Sequence, residues 1–333
     1  MKIISLNIRG FAKEGAYGWV RSLCGEEKPD IFAFQETKSS RVSEQWASCL
    51  WWSNRVGIVQ KEAMGYSGGL MILWDLDSFE VKNYVESEFY IAIKGRWKTR
   101  NCDYIIVNIY GPQDDASKIR MWDSLSALLG SIDSSWLLCG DFNEVREENE
   151  RLNSIFIPSR AKRFNDFISD NSLVEIPLGG RKFTRVCDNG VKLSKLDRFI
   201  ASDNFLNQWD DLSALVLDRK FSHHCPIVIR DKVLDFGPRP FKIFDKWLNH
   251  EEVDELIKKA WDVEVSGYRK DCVFRNKLKN VKSALREWSR SNMSSLEKDV
   301  IELKEKVKAW ESKAEVSSLS EHDRKLWMDC RKT

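Results

Sequence analysis

The chain has 333 residues, 42% of them hydrophobic, with 53 basic against 51 acidic residues and a formal net charge of +2. That balance excludes a uniformly basic nucleic-acid coat, so any such surface must be a local patch. The absence of an apolar run near ~18 residues excludes a membrane-spanning helix, and the length allows one large domain with an appendage, or two domains.

Eight cysteines, Cys24, Cys49, Cys102, Cys139, Cys187, Cys225, Cys272 and Cys330, are scattered without a CxxC pair. Zinc is not expected, and a reducing interior compartment, nucleus or cytoplasm, is. The chain enters a strand almost at once, so no cleaved targeting peptide is expected at its start.

Residues 1–8 read as a strand leaving through Asn7-Ile8-Arg9-Gly10. Residues 14–25 read as a helix with Trp19, Val20 and Leu23 on one face. A strand follows from Pro29-Asp30 to Glu36, then a short helix from Arg41 to Leu50. Tyr66 to Trp74 is a glycine loop feeding a strand; no GxGxxG leads into a helix, so a dinucleotide fold is excluded. Residues 79–98 alternate as two strands around Glu86-Ser87-Glu88, and 103–110 is a further strand. Ile119, Trp122, Leu125, Leu128 and Leu129 give 115–129 one apolar helix face. Ser135 to Cys139 is a buried strand that turns at Gly140-Asp141-Phe142-Asn143. Residues 144–158 are charged and aperiodic, hence a surface loop; 159–170 is a helix that Ser159 is placed to cap. Pro177 to Arg185 leads into another strand, and a final strand follows Pro226.

After Ile229 the texture changes. Gly237-Pro238-Arg239-Pro240 is a stiff joint. Beyond it, three helical patterns run through Val253–Trp261, Phe274–Trp288 and Leu296–Trp310. The last two have heptad-like steps, and the loop-like Ser289 to Ser295 between them suggests an antiparallel hairpin. The expected layout is a domain over 1–230, a joint over 231–240 and a helical tail over 241–333. Strands alternating with helices and then strands again predict a two-sheet α/β sandwich flanked by helices, followed by the all-helical tail.

Asp141 and Asn143 stand at the carboxyl end of a strand, where open α/β sheets place their chemistry. Taken alone the pair reads equally as a polar strand-to-loop turn. Four more strand-like segments carry polar residues at their ends: Asn7; Gln35-Glu36; Tyr110; and Ser222-His223-His224 before the final strand. With Ser194-Lys195-Leu196-Asp197-Arg198-Phe199, this order of motifs resembles the endonuclease/exonuclease/phosphatase family over roughly residues 1–230. Within it, Asn7-Ile8-Arg9-Gly10, Gln35-Glu36-Thr37-Lys38, Gly140-Asp141-Phe142-Asn143 and Gly180-Arg181-Lys182-Phe183-Thr184 are similar to the endonuclease domain of plant LINE-type (non-LTR) retrotransposon polyproteins.

The resemblance implies phosphodiester cleavage, which needs a cation on the phosphate, an oriented water and groups that absorb developing charge. It implies Mg²⁺, with Mn²⁺ as substitute, held by Glu36 and Asn7. Asp141 orients or deprotonates the attacking water, Asn143 helps hold the phosphate, and Tyr110 donates to a phosphate oxygen. His224 donates to the phosphate or moves a proton, oriented by Asp197. Lys38, Arg181, Lys182 and Arg185 are the expected contacts to duplex DNA, and the reverse transcriptase region of the same polyprotein is the implied partner.

Two departures matter. Abasic-site endonucleases carry an acid two residues after the first Asn, where this chain has Arg9. The family ends its set with Ser-Asp-His, where this chain has Ser222-His223-His224. An imidazole cannot replace the missing carboxylate's charge. The competing expectation is therefore a non-catalytic DNA- or protein-binding remnant of such a polyprotein; a phosphatase or RNA nuclease on the same scaffold is a third.

Overall fold

The computed structural model describes all residues except 65–66, 133, 188–191, 210, 232–246, 248–249, 266–269, 292–294, 317–319 and 331–333. In chain order the elements begin β1 (Lys2–Asn7), α1 (Ala16–Glu27), β2 (Ile31–Gln35), α2 (Glu44–Leu50), β3 (Val56–Met64) and β4 (Ser67–Asp75). Next come β5 (Phe79–Glu86), β6 (Tyr90–Trp97), β7 (Cys102–Tyr110), α3 (Asp115–Ser131) and β8 (Ser135–Asp141). Then follow β9 (Arg151–Leu152), α4 (Pro158–Asp170), β10 (Leu173–Ile176), β11 (Leu178–Gly179), β12 (Arg185–Val186) and β13 (Leu193–Ser194). The last are β14 (Asp197–Ser202), α5 (Asp203–Leu206), β15 (Leu212–Val216) and β16 (Ile227–Asp231).

The strands form a seven-stranded sheet in the order β11-β15-β16-β1-β2-β4-β3, a six-stranded sheet β10-β14-β8-β7-β6-β5, and a small sheet β12-β13-β9. Ile3, Ile31, Ala33 and Ile72 of the first large sheet share one core with Ile91, Ile93, Ile106, Leu137 and Phe199 of the second. The alternate residues of the same strands pack outward. Ile4, Leu6, Phe32 and Phe34 meet Trp19, Val20 and Leu23 of α1 and Ala47 and Leu50 of α2. Ile105, Val107 and Leu138 meet Met121, Trp122 and Leu125 of α3 and Phe164 and Phe167 of α4. The strands read as continuous apolar runs because both their faces are buried. The architecture is thus the expected two-sheet α/β sandwich flanked by helices, with a helical tail.

Two local expectations fail. The helix α4 begins at Pro158, with Ile157 at the N-cap position and no side-chain cap, so Ser159 lies inside the helix. Proline at the first helical position supplies the required φ and has no N–H to satisfy. The stretch 144–158 is not a solvated loop, because Glu144 and Glu150 are buried and a 3-10 turn (Glu148–Glu150) and β9 lie within it. Buried counter-charges account for this. Lys118 of α3 engages Glu144, and Arg198 of β14 donates to Glu150.

The chain divides into two compact units, one of Met1–Val233 with Ser312–Arg324, the other of Leu234–Glu311 with Lys325–Thr333. In the second, Val281 and Leu285 of helix Lys270–Ser291 pack on Val253 and Ala260 of helix Glu251–Asp262, with Trp247 and Trp288 at the margin. A further helix spans Ser295–Val316, and another Glu321–Cys330. The Gly237–Pro240 joint, and residues 292–294 of the expected hairpin link, lie outside the described residues.

Arg198 is fully buried and divides its guanidinium between Glu150 and Glu175, with Nη1 2.6 Å from Glu175 Oε1. Lys195 Nζ and Arg146 Nη1 also reach Glu175, at 2.7 and 2.8 Å. The cluster ties β14 to β10 and to the 3-10 turn. Burial pushes the Glu175 carboxyl up, but Arg198, Lys195 and Arg146 outweigh it and hold the group down to about 2, against an ordinary 4.5. A carboxylate depressed on folding stabilises the fold above its unfolded pKa and loses that contribution as pH falls through its folded one. The fold is therefore expected to lose on the order of 3 kcal/mol from this group between about pH 4.5 and 2. Urea titrations at pH 7 and at steps below 4.5 check this: Glu175→Gln should be less stable at pH 7 and show the shallower decline.

Candidate active site

The register of the six-stranded sheet sets Tyr110 opposite Asp141, and Asp141 opposite Asp197. Opposed residues on neighbouring strands face the same side, so the three form a row at one end of the sheet. From the other sheet, β1 ends at Asn7, in register with Gln35, and Glu36 follows. Asn7 Nδ2 donates to Asp141 Oδ2 at 2.9 Å, joining the two sheets at their ends. The carboxyl ends of two parallel pairs, β1 with β2 and β7 with β8, thus converge. Gly140 lets β7 and β8 lie close beside Asp141: at φ 137°, a Cβ there would stand 2.0 Å from the Ile109 carbonyl oxygen.

Asp141 and Asp197 are neighbours with almost no solvent contact, and His224 lies between them. Its Nδ1 is 2.9 Å from Asp197 Oδ2, and its Nε2 is 3.7 Å from Asp141 Oδ2. Asp197 Oδ2 also accepts from Thr184 Oγ1 at 2.6 Å, and that hydroxyl accepts from the backbone N–H groups of Leu196 and Asp197. Burial disfavours the imidazolium, yet the Asp197 and Asp141 carboxylates outweigh it and raise the His224 pKa. Burial, with the Asp197 charge added, raises that of Asp141 against the opposing pull of His224, Asn7 and the Asn143 N–H. His224 and Asp141 therefore each hold a proton more tightly than they would in water. Burial, then the charges of Glu36 and Asp141, push the Tyr110 phenol well up, so it is a neutral donor.

The loops that leave these strands hold non-glycine residues in the left-handed region: Arg9 (φ 55°), Glu36 (52°), Lys38 (50°) and Asn143 (52°). Each costs roughly 1–2 kcal/mol relative to ordinary backbone, and such strain collects where surroundings over-determine the chain. Here the surroundings are hydrogen bonds. The Arg9 N–H donates to Asn7 Oδ1 (3.1 Å) and the Gly10 N–H to the Glu36 carbonyl (2.8 Å). The Asn143 N–H donates to Asp141 Oδ1 (2.9 Å), Asn143 Nδ2 to the Gly111 carbonyl (3.2 Å), and Lys118 Nζ to the Asn143 carbonyl (2.8 Å).

Asn7 and Asn143 hydrogen-bond to Asp141, His224 hydrogen-bonds to Asp197 and stands with Nε2 3.7 Å from Asp141 Oδ2, and Tyr110 and Glu36 meet beside them. Asp141, Asp197 and His224 can each present a ligand atom within 4.8 Å of the others, a buried set able to hold a cation. The Glu36 carboxylate lies outside that set, 3.0 Å from Lys38 Nζ. Of the basic residues, Arg181 pairs with Asp218 at 2.8 Å and Lys182 Nζ lies 5.5 Å from the Phe183 ring. Arg185 and His224 form an isolated antiparallel backbone bridge. Arg198 is not the surface partner of Asp197, because it points to the opposite face and into the Glu150–Glu175 cluster. His223 is half-buried and its carbonyl accepts from the Val186 N–H at 3.0 Å.

Three supporting residues were given no role by the sequence reading, although Thr184 and Ser222 lie within its motifs. Thr184 holds Asp197, Ser222 Oγ donates to the Asn7 carbonyl at 2.6 Å, and Lys118 props Asn143. Their signals are faint, since a lysine on a helix and isolated hydroxyls look like surface. Only the sheet register brings them in.

Three comparisons bear on this geometry. The family model described as Endonuclease/Exonuclease/phosphatase family matches residues 4–222. A curated relative, the Transposon TX1 uncharacterized 149 kDa protein of Xenopus laevis, is 23% identical over 168 residues, covering 47% of this chain and 13% of its own length. The chain thus spans a small fraction of that relative. Similar folds are found in AP endonuclease LMAP from Leishmania major (TM-score 0.56, 15% identity, 68% of this chain and 86% of that one) and in an AP endonuclease from Archaeoglobus fulgidus (0.54, 19%, 70% and 100%). The endonuclease domain of TRAS1, a telomere-specific non-LTR retrotransposon, is a third (0.53, 13%, 68% and 96%). With the family model spanning most of the sandwich, the chain belongs to the endonuclease/exonuclease/phosphatase family.

Proposed function

We propose that the protein is a divalent-metal-dependent DNA endonuclease that nicks duplex DNA for retrotransposon insertion, with residues 1–230 as its catalytic domain. The observation that carries the hydrolytic part is the buried Asp141–His224–Asp197 group, linked through Asn7 to the second sheet. The retrotransposon part rests on likeness to the transposon TX1 protein and the TRAS1 domain.

The oxygen donors of Glu36 and the Asn7 amide, beside the Asp141 carboxylate, suit a hard divalent cation such as Mg²⁺ or Mn²⁺, which leaves His224 Nε2 for the phosphate. Such an ion would supply charge stabilisation on the phosphate. The chain's own groups do the rest. Asp141 Oδ2, fixed by Asn7, orients a water and accepts its proton. His224, whose Nδ1 is fixed by Asp197, presents Nε2 as the donor to a phosphate oxygen. Tyr110, kept protonated, and the Asn143 amide are placed to donate to the same phosphate.

A second reading, a non-catalytic nucleic-acid-binding remnant, draws on His223 standing where the family's acid is expected. One experiment separates the two: supercoiled plasmid with Mg²⁺, for the native chain and Asp141→Ala. Nicking lowered at least about 100-fold by Asp141→Ala is expected of the enzyme, the scale on which general acid–base groups act. Equal background nicking by both proteins would sink the catalytic reading.

Glu36→Gln keeps shape and removes charge, so it is expected to abolish metal-dependent nicking at low millimolar Mg²⁺ while the far-ultraviolet circular dichroism stays native. Restoring the acid by His223→Asp is expected to raise nicking by about tenfold, the effect of ~1.4 kcal/mol in the transition state. Rates for the two chains compared from pH 6 to 9 at fixed Mg²⁺ decide this; equality throughout would make His223 a neutral variation.

A further inference from the structure

The small sheet beside the site has a register of its own. Arg185 stands opposite Ser194, Ser194 stands opposite Arg151, and Arg185 bridges to His224 on its other side. Opposed residues share a face, so His224, Arg185, Ser194 and Arg151 form one row that starts at the catalytic imidazole. With strands about 4.8 Å apart, the two arginine backbones lie roughly 10 Å from each other, with a small side chain between them. Ser194 is buried, so the row has a floor flanked by two guanidinium groups.

The charges of this row are poorly balanced. Arg185 forms no salt bridge among the described residues. Arg151 reaches one carboxylate, Glu144 at 3.8 Å, and Lys118 already holds that group. Arg151 Nη1 donates to the Ile155 carbonyl at 3.1 Å, but its Nε is buried and meets no acceptor among the described residues. Arg160, at the start of α4, adds a third guanidinium, paired with Asp115. Burial, with the charges of Arg160 and Arg185, lowers the pKa of Arg151 against the pull of Glu144. Arg151, which shares its one carboxylate with Lys118, lies near two further guanidinium groups and has a buried donor unused, is stabilised by an arriving anion. The planar fork of arginine matches phosphate oxygens.

We propose that the Arg151–Ser194–Arg185 row is a subsite for one backbone phosphate of a nucleic-acid strand, flanking the phosphate processed at His224. The inference rests on the phosphodiesterase reading and adds which residues hold the strand beside the reacting group. A phosphomonoester has one phosphate, which the Asp141–His224 centre takes, leaving the row without a ligand. A polynucleotide carries another phosphate on the next nucleotide. The row therefore selects polymer over monomer.

The test uses the full chain with Asp141→Ala, which prevents cleavage, and a short fluorescent duplex titrated by anisotropy at several salt concentrations. Adding Arg151→Gln is expected to weaken binding about tenfold and to lower the slope of log K against log salt by about 1. Arg151→Gln with Arg185→Gln should weaken it further with little more loss of slope, because both act on one phosphate. Arg151→Lys, which keeps the charge and loses the fork, should fall between. Thermal melting confirms that each variant is folded; where the double variant is not, Arg151→Lys alone decides, and native affinity for it overturns the inference. If the native chain nicks plasmid and the folded glutamine variants bind with unchanged affinity and slope, the subsite is wrong and the endonuclease stands. If the native chain neither binds nor nicks duplex DNA, both fall together.

Discussion

Two carboxylates, Asp141 and Asp197, stand opposite each other on adjacent strands and are buried. Left as neighbouring anions in a medium of low dielectric they would force the sheet apart or take up protons. The fold answers with His224 between them, Asn7 on one and Thr184 on the other. Each of those three comes from a different part of the chain. The sandwich can close only when β1, the 184 loop and the segment before β16 arrive together. The site is therefore complete only when the fold is. That coupling explains why residues separated by more than two hundred positions, such as Asn7 and Ser222, are bonded directly.

The same constraint reaches outward through β14. Along a strand, side chains alternate between faces, so Asp197 faces His224 while Arg198 faces away. The buried Arg198–Glu150–Glu175 cluster anchors that outer face. Buried ion pairs add little net stability against apolar replacements, but breaking one is costly. Such a cluster fixes geometry more than it adds energy. Lys118 and Glu144 do the equivalent for Asn143, whose left-handed backbone would relax without the lysine on its carbonyl. The ends of β8 and β14 are thus each backed by buried charge pairs.

Much of this was legible in the sequence, for an identifiable reason. Strands buried on both faces write continuous apolar runs, and their polar terminators stand out against them. Asn7, Tyr110, Asp141 and His224 were found that way, and the sandwich followed from the alternation of strands with helices. What the sequence concealed was pairing. The charges of 144–158 looked solvated because their partners, Lys118 and Arg198, are far away in the chain. The row linking Arg151 to His224 needs three registers, none of them spelled by local composition. Ser159 failed as a cap because Pro158 had already set the first turn.

Charge placement at the centre carries one more consequence. Abasic-site endonucleases set an acid where this chain has Arg9, and the family sets one where it has His223. The Arg9 charge is felt at the Tyr110 phenol, so the substitution lies within the site's electrostatic reach. Exchanging an acid for a guanidinium weakens the hold on a divalent cation and strengthens that on a phosphate, since the two respond oppositely to the same charge. Lys38, 3.0 Å from the Glu36 carboxylate, acts in the same direction by competing for that ligand. The Arg9, Lys38 and Arg185 charges thus ring a carboxylate core of Glu36, Asp141 and Asp197. On the proposed metal-dependent reading, such a centre would depend less on metal for ground-state attraction to a phosphate and more on it for the chemical step. Binding and turnover should then separate in their metal dependence, the phosphate being held by the protein's own cations and the reaction waiting on the ion.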